Sequence, residues 1–451
     1  MFKGFFRIDK SYWLLVPMIL QATIPWFQFR IRIWYVFAFV LVWLAFNFGQ
    51  IVASLSSRAS KAARWFMLWY LLFNAISYIY ALFGHGDYMG WGKVSMFTNQ
   101  LVFFTAVHCT LERRKFREFR FLAYFVMFGL CVAGLMAFRG LGGEGIEGAR
   151  YLVGRSRIEF GSKAFDVLAE SVNLGLGDYR FVYMCAWFFP MFLMTMSLVK
   201  SKAVKISMAM LAAFMVVCVK TGGLGTAVAV LAIAFGMYCL WRMKRNTRIP
   251  LKIAGWFLMI MFFLYATVPS VFGFLAPPIK ALAETMSEGS VKQRFESIAQ
   301  SFSGYTYGNY AYDRAQLQLT SIRGFLYKPV FGNGMYEGDL FGERNNIIGG
   351  HSMILDHLAY YGLIGFVPLL LMLITFGKYN LWISRTYFGR KWMAMPTVFL
   401  ILFIFSSLAN PTFGIPHMAF ILIPGLGYVV ALANKEPIGV PLGMRPFPYG
   451  N

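Results

Sequence analysis

Basic side chains and one histidine stand at the positions of this chain that are best suited to chemistry. Arg314 precedes a turn-forming stretch at 329–334, which reads PVFGNG, and His351 follows that stretch. An arginine guanidinium binds phosphate oxygens through two parallel N–H donors and stays charged at any physiological pH. A neutral histidine accepts a proton near pH 7. These residue types therefore suit recognition of an anionic group and transfer of a proton.

Further basic residues are candidates for binding the same anionic group. They are Arg180, Lys220, Arg294 and Arg323. Each candidate also has a structural alternative. Arg314 could pair with Asp313 or Glu296 on a loop surface, His351 could cap a helix, and a long basic side chain at a helix mouth could simply reach the bilayer interface.

The elements that must position these residues are membrane helices, because the composition leaves little room for anything else. The chain has 451 residues, of which 59% are hydrophobic and 14% are charged, and its mean hydropathy is +0.59. A soluble domain is about half apolar and about a quarter charged. The sequence therefore predicts an all-α polytopic membrane protein. It excludes a soluble enzyme, a DNA-binding domain or a secreted disulfide scaffold as the main architecture.

Apolar runs predict about twelve transmembrane helices. Eight runs are long, at 33–54, 65–83, 94–110, 121–138, 181–199, 253–275, 353–377 and 415–434, and four are shorter or interrupted, at 11–27, 206–219, 224–241 and 393–409. The glycines at 222, 223 and 225 predict a tight re-entry between two of the shorter runs. The run at 11–27 is interpreted as an uncleaved first helix.

Two long segments interrupt the helices and divide the chain. Residues 1–275 hold predicted helices 1–9 with a loop at 139–180, a large loop follows at 276–351 between helices 9 and 10, and residues 352–451 hold helices 10–12 and a short tail. Loops of that length are usually functional. Within the large loop, helical spacing predicts surface helices over 279–302 and an amphipathic stretch at 315–327. Asp356, in the helix after the loop, is expected to make an internal hydrogen bond.

The net charge of +23 has a topological explanation. If both termini are cytoplasmic, the inside segments hold 25 of the 42 Lys and Arg residues but only four of the 19 acids. This bias is the positive-inside pattern of membrane proteins, so no nucleic-acid partner is expected. The two long loops then lie outside the cytoplasm.

No metal or other cofactor is expected. The five cysteines all fall in predicted helices, where they behave as small apolar side chains, and the five histidines lack the spacing of metal ligands. Any chemistry must then come from the protein's own side chains and its substrate.

The order of these motifs resembles the O-antigen ligase and polymerase superfamily. The resemblance rests on Arg314, on the Pro-x-x-Gly-x-Gly pattern at 329–334, on His351-Ser352-x-x-Leu355 and on Gly362-x-x-Gly365. Family members are similar in having about twelve helices and a large periplasmic loop before the third-last helix. Lys220 stands where many members carry an arginine.

The resemblance implies glycosyl transfer at the periplasmic face of a bacterial inner membrane. The donor would be a glycan linked to undecaprenyl pyrophosphate, the acceptor a sugar hydroxyl, and the reaction inverting and independent of metal. His351 would be the general base, and Arg314, Arg323, Arg180, Lys220 and Arg294 would bind substrate. A chain-length regulator is a further possible partner.

Two alternatives remain open at this stage. A ligase would pass the finished glycan to lipid A-core, whereas a polymerase would join repeat units, and the motifs fit both. A polysaccharide or lipid transporter or flippase belongs to another class. Transporters tend to show internal repeats and several ionisable residues inside helices, neither of which this sequence favours.

Overall fold

A computed structural model describes the chain as an assembly of helices. It describes residues 8–30, 33–57, 61–83, 91–139, 179–222, 225–243, 249–267, 273–285, 310–334, 352–409 and 418–436, with single residues at 292, 295, 296, 299, 300, 348 and 438. These residues form no strand. Among the described residues, seven helices are long and apolar enough to cross a membrane, as judged by length and composition. The prediction of an all-α protein of the membrane type is confirmed at this level.

Fifteen α-helices lie within the described ranges. They are α1 (Val16–Thr23), α2 (Pro25–Arg30), α3 (Ile33–Ser56), α4 (Lys61–Phe83), α5 (Trp91–Glu112), α6 (Phe116–Arg139), α7 (Tyr179–Leu198), α8 (Lys202–Thr221), α9 (Gly225–Met243), α10 (Ile249–Thr267), α11 (Ala276–Glu284), α12 (Tyr310–Tyr327), α13 (Met353–Ile383), α14 (Ala394–Ala409) and α15 (Ala419–Ala433). Each predicted apolar run coincides with one or more of these helices. Residues 140–178, most of the first predicted loop, lie outside the described part.

The first predicted helix, 11–27, is broken. Lys10–Leu15 form a 3-10 helix, α1 follows, and Ile24 is extended with φ −117° and ψ 109° before α2 begins at Pro25. A proline ring disfavours helical backbone at the residue before it, so Ile24 must leave the helix. The run therefore consists of short helical segments instead of one continuous helix.

The re-entry between α8 and α9 is confirmed, and both helices pack on α7. Gly222 lies so close to α7 that an added Cβ would be 2.6 Å from a methyl group of Val182. On the other side, the rings of Phe189 and Phe235 lie 6.4 Å apart, and the hydroxyls of Ser197 and Tyr238 are 2.9 Å apart. A glycine at the start of the turn lets α8 approach α7 closely.

An aromatic cluster joins four helices in the core. Phe66 of α4, Phe104 of α5, Phe376 of α13 and Phe420 of α15 contribute rings, with centroids 4.8 Å apart for Phe66 and Phe104 and 5.0 Å for Phe376 and Phe420. Such tilted and edge-on arrangements are favourable for aromatic pairs. The cluster fixes how α4, α5, α13 and α15 lie against each other.

At one end of the bundle, the end of α15 is tied to the end of α7. The Asn434 side chain accepts from Lys200 N at 2.9 Å and donates to Leu198 O at 3.0 Å, which satisfies backbone groups just after α7. Glu436 pairs with Lys391 at 2.6 Å, and this contact holds the pKa of the Glu436 carboxyl below its usual value.

The longest of the described helices, α13, is broken at Gly362. This residue has φ 58° and ψ −161°, a conformation open to glycine and strained for other residues. The break divides α13 into a first half, 353–361, and a second half, 363–383. The predicted helix 353–377 is therefore wrong as one continuous span, and the second half alone is long enough to cross a bilayer, at about 31 Å.

The 329–334 turn caps both halves of α13 at the break. Pro329 O accepts from Leu363 N at 2.8 Å and Val330 O accepts from Ile364 N at 3.1 Å, which satisfies the start of the second half. Asn333 N donates to the carbonyl of residue 359 at 3.0 Å, and Gly334 N donates to that of residue 360 at 2.9 Å. Helix ends leave backbone groups without intrahelical partners, and here one turn supplies them for two ends.

Two glycines allow this contact. A Cβ added to Gly332, which has φ 68°, would lie 2.3 Å from Tyr360 O and 2.4 Å from Gly362 N. A Cβ added to Gly362 would lie 2.4 Å from Gly332 N. Backbone atoms cannot move aside as a side chain can. The Pro-x-x-Gly-x-Gly pattern is therefore a packing device.

Replacing either glycine should destabilise the protein more than its backbone angle alone explains. For Gly332→Ala and Gly362→Ala we expect a loss of about 2–6 kcal/mol, combining about 1–3 kcal/mol of backbone strain with about 1–3 kcal/mol of overpacking. Gly389→Ala is the matched control, because Gly389 has φ 91° but nothing within 4 Å of an added Cβ. Thermal unfolding in detergent measures the difference. Equal losses in all three variants would contradict the packing role.

Candidate functional site

Ring contacts of the second half of α13 show which residues of α4 and α14 lie level with it. Its Phe376 ring lies 6.1 Å from Phe66 of α4 and 6.1 Å from Phe399 of α14. Both neighbours run antiparallel to it, since Tyr80 near the end of α4 meets Tyr361 at 5.2 Å and α14 returns through the short segment 384–393. Seven residues after Phe66 and Phe399, the residues Phe73 and Ser406 therefore lie opposite about residue 369 of α13.

The first half of α13 folds back alongside the second half. His357 lies against Phe73, with ring centroids 6.2 Å apart, and Ser352 Oγ donates to Ser407 O at 3.4 Å. A continuous helix would carry both residues beyond Gly362, away from these partners. At 1.5 Å per residue, Ser352 lies about 9–11 Å below the level of Gly362. The start of α13 is thus recessed in the bundle, and Ser352 is fully buried.

Hydrogen bonds hold the recessed start of α13 in place. Ser352 Oγ accepts from Leu355 N at 3.2 Å, and Asp356 Oδ2 accepts from Ser352 N at 2.9 Å. The other carboxylate oxygen of Asp356 accepts from Ser321 Oγ of α12 at 2.6 Å. A serine and an acid thus cap the helix reciprocally, and the acid also suits the positive end of the helix dipole. The internal hydrogen bond expected for Asp356 is confirmed.

The helix α12 packs along the first half of α13 through one face. That face carries Gln318, Ser321 and Gly324, all buried. Gln318 Nε2 donates to Leu408 O at the end of α14 at 3.4 Å, and Asn333 Nδ2 donates to Gly324 O at 2.7 Å. The predicted amphipathic stretch 315–327 is confirmed as helical. Its polar positions bind helix ends.

The predicted residue Arg314 belongs to this face by its place in the helix. It lies in α12 four residues before Gln318 and seven before Ser321, which is the spacing of one stripe on a helix. Its side chain is outside the described residues. Arg323, in contrast, is exposed and outside the run of buried positions.

Two more predicted residues lie at helix ends near the end of α14. Trp187 of α7 donates through Nε1 to Ser406 Oγ of α14 at 2.9 Å. Arg180 lies two turns earlier on α7, with its side chain outside the described residues. Lys220 is exposed in the last turn of α8, where Gly222 meets Val182 at the start of α7. The ends of α7 and α8 therefore meet on the same side of the bundle.

The sequence candidates divide into three groups in the structure. Arg180, Lys220 and Arg314 lie on helix segments that converge near the end of α14. Arg323 is on another face of α12. His351, directly before Ser352, and Arg294 lie outside the described residues.

Several residues that build this region were not among the sequence candidates. Ser321, Gln318 and Asn333 bind helix ends, and Tyr80 donates its hydroxyl to Phe331 O at 2.6 Å, which attaches the turn to α4. The Ser352-x-x-x-Asp356 spacing was a usable signal for the cap. No sequence signal marked Tyr80, since its partner Phe331 is distant in sequence.

The arrangement brings basic positions of three helices close to a buried helix start. The buried start of α13 carries the positive end of a helix dipole, which Asp356 partly balances, and the basic residues of α7, α8 and α12 add positive charge. Among the described residues, no group of three or more His, Cys, Asp or Glu side chains could hold a metal ion.

Comparison with known proteins adds no family to this description. No protein-family model matches the chain, and no curated protein matches it.

Removing the Asp356 carboxylate should loosen the start of α13. Asp356→Ala leaves Ser321 Oγ and Ser352 N without their acceptor, and hydrogen bonds to charged groups contribute about 1.5–3 kcal/mol each. We expect amide hydrogen exchange across 352–361 to rise roughly tenfold or more. Asp356→Asn, which keeps one acceptor oxygen, should show a smaller rise.

The control for this variant is Ser207→Ala. It removes a serine hydroxyl bond to Ala203 O on an exposed face of α8, so exchange at 352–361 should stay unchanged. Unchanged exchange in Asp356→Ala would show that the cap does not hold this segment.

Proposed function

We propose that this protein is a glycosyltransferase of the inner membrane, acting at the periplasmic face on a glycan linked to undecaprenyl pyrophosphate. The preferred reaction is polymerisation of glycan repeat units. The observation that carries the proposal is the recessed start of α13. There the 329–334 turn, the helix bearing Arg314 and the residue following His351 belong to one hydrogen-bonded unit. The motif residues that the structure describes thus belong to a single structural element.

The chemistry assigned to this unit is one displacement at the anomeric carbon. The acceptor hydroxyl loses its proton to His351 as its oxygen bonds to that carbon, and the bond to the pyrophosphate oxygen breaks with its electron pair leaving on the lipid pyrophosphate. Arginine suits the leaving group, because its planar fork neutralises phosphate charge through two hydrogen bonds. Arg314 has this role in the proposal, with Arg180 and Lys220 as further contacts to the same anion. Arg323 and Arg294 are assigned to substrate binding, without a defined contact to the pyrophosphate.

A recessed site fits a substrate that is half lipid and half sugar. The pyrophosphate lies where the polyprenyl chain leaves the bilayer, so the site must reach that level and still open to the sugar side. A start of α13 about 9–11 Å below Gly362 offers such depth. Partial exclusion of water also strengthens each contact between arginine and phosphate.

The proposed topology has twelve spans, both termini in the cytoplasm and both long loops in the periplasm. Cysteines placed at Ser162 and Ser303 should react with an impermeant thiol reagent from the periplasm, and a cysteine at Ser201 only after the inner face is exposed. Ser384, the other inside position, is buried and so a poor reporter. Periplasmic labelling at Ser201 would overturn the topology.

The function is tested with purified protein and a defined undecaprenyl-pyrophosphate repeat unit. A ladder of products without any core acceptor supports a polymerase. Products that form only when lipid A-core is added indicate the ligase instead. Release of the glycan from sealed vesicles without a change in its size would indicate a transporter and would contradict the proposal.

Replacing His351 should impair catalysis and spare binding. General-base catalysis contributes about 10²–10⁴-fold, so His351→Ala should lower the turnover rate by that factor with donor affinity nearly unchanged. The wild-type rate should fall as the pH drops and the imidazole becomes protonated. Single-turnover rates and donor binding measure the two effects.

Arg314 provides the contrasting variant for this test. Arg314→Ala should lose donor affinity, and Arg314→Lys should recover only part of it, because an ammonium lacks the bidentate fork. Loss of donor binding in His351→Ala would make that residue a pyrophosphate ligand. Near-normal turnover would remove it from catalysis.

A further inference from the structure

One face of α4 is exposed along the helix and changes character from polar to apolar. Its first positions are Lys61, Arg64 and Trp65, and Trp65 is 46% exposed. The same face continues with Leu68 and Leu72, which are 50% and 40% exposed. Positions spaced by three and four residues lie on one side of a helix, so the stripe is continuous. Charge sits at the start of α4 and aliphatic surface follows.

The charged end of this stripe borders a shallow groove that is open to its surroundings. Lys61, Arg64, Trp65 and Leu68 line a groove of about 540 Å³. Arg64 also donates through Nη1 to Ser56 O at 3.4 Å, which draws its guanidinium towards the end of α3. Its lining therefore consists of two cations, an indole beside them and aliphatic surface beyond, all on one face of α4.

These features match the parts of one anionic phospholipid. Side chains three residues apart on a helix are about 5–6 Å apart at Cβ, so Lys61 and Arg64 can both reach one phosphate. A guanidinium provides five N–H donors, of which the Ser56 contact engages one nitrogen. Tryptophan favours the level of lipid headgroups, and Leu68 and Leu72 continue into the region of acyl chains.

The charge balance selects the kind of lipid. Two cations in one groove favour a headgroup with net negative charge over a zwitterionic one, whose own ammonium group would be repelled. Each basic side chain near an anionic membrane surface contributes about 1 kcal/mol of attraction. The start of α4 also lies in an inside segment of the proposed topology, where the leaflet carries anionic lipid.

We infer that the groove at Lys61, Arg64, Trp65 and Leu68 is a binding site for an anionic phospholipid, with the phosphate between the two cations and an acyl chain along Leu68 and Leu72. The site is separate from the proposed transfer site and does not depend on glycosyl transfer. It does rest on α4 crossing the membrane.

The test measures retained lipid on the full-length protein by native mass spectrometry, after titration with phosphatidylglycerol or phosphatidylethanolamine. The wild type should retain phosphatidylglycerol preferentially. Lys61→Ala with Arg64→Ala should weaken this binding roughly 25-fold, which is about 1 kcal/mol for each cation at 1.4 kcal/mol per tenfold. Trp65→Ala should weaken it by a smaller factor.

The matched control is Lys202→Ala with Lys205→Ala. These exposed lysines have the same spacing at the start of α8, but Ile206 stands where α4 has Trp65. The control removes the same charge and should leave phosphatidylglycerol binding within about twofold of wild type. Equal weakening by both double variants would show a general charge effect and overturn the site.

Two competition experiments identify which kind of molecule supplies the bound phosphate. Glycerol phosphate, which has the headgroup chemistry without acyl chains, should not compete at millimolar concentration, and competition would indicate a free-phosphate site. Undecaprenyl phosphate should displace phosphatidylglycerol poorly. Preferred binding of undecaprenyl phosphate would replace the phospholipid with the carrier lipid and overturn the assignment.

Discussion

A helix broken among apolar neighbours must find partners for the backbone groups that the break exposes, and this requirement governs the structure around Gly362. Unsatisfied N–H and C=O groups cost several kcal/mol each in surroundings without water. The 329–334 turn supplies acceptors to the second half of α13 and donors to the first. Without that turn, α13 could not fold back, and its start would not be recessed.

The other contacts around Gly362 depend on the hydrogen bonds between the 329–334 turn and the two halves of α13. The two halves of α13 can share one turn only if backbone meets backbone, so both contact positions are glycine. The Tyr80 hydroxyl attaches the 329–334 turn to α4, and the side chain of Asn333 attaches it to α12. Because α12 is tied to the same first half by the bond from Ser321 to Asp356, its register against α13 is fixed along its length.

This arrangement gives a physical account of why basic residues and a recess come together. A buried helix start carries partial positive charge, and here it is balanced from within by one carboxylate at Asp356. Arginines and a lysine on α7, α8 and α12 add charge that an anionic substrate would neutralise. In the proposed reaction this substrate is a lipid pyrophosphate, which lies at the bilayer surface.

The sequence by itself determined the class of the protein, the positions of its helices and the order of its motifs. These depend on local properties: the length of apolar runs, the spacing of polar positions in 315–327, and glycines that end a helix, as between α8 and α9. Pro25 shows the limit of such patterns, since the break at Ile24 interrupts a run that is apolar throughout. The fold-back of α13 was decided by tertiary structure alone. Gly362 permits a break, but the partners that stabilise it lie about 30 residues earlier in the 329–334 turn, and hydropathy does not record which distant backbone groups will meet. For the same reason the sequence marked Arg314 and Asp356 as candidates for chemistry and hydrogen bonding, whereas only the packed structure joined α12 to the recessed start of α13.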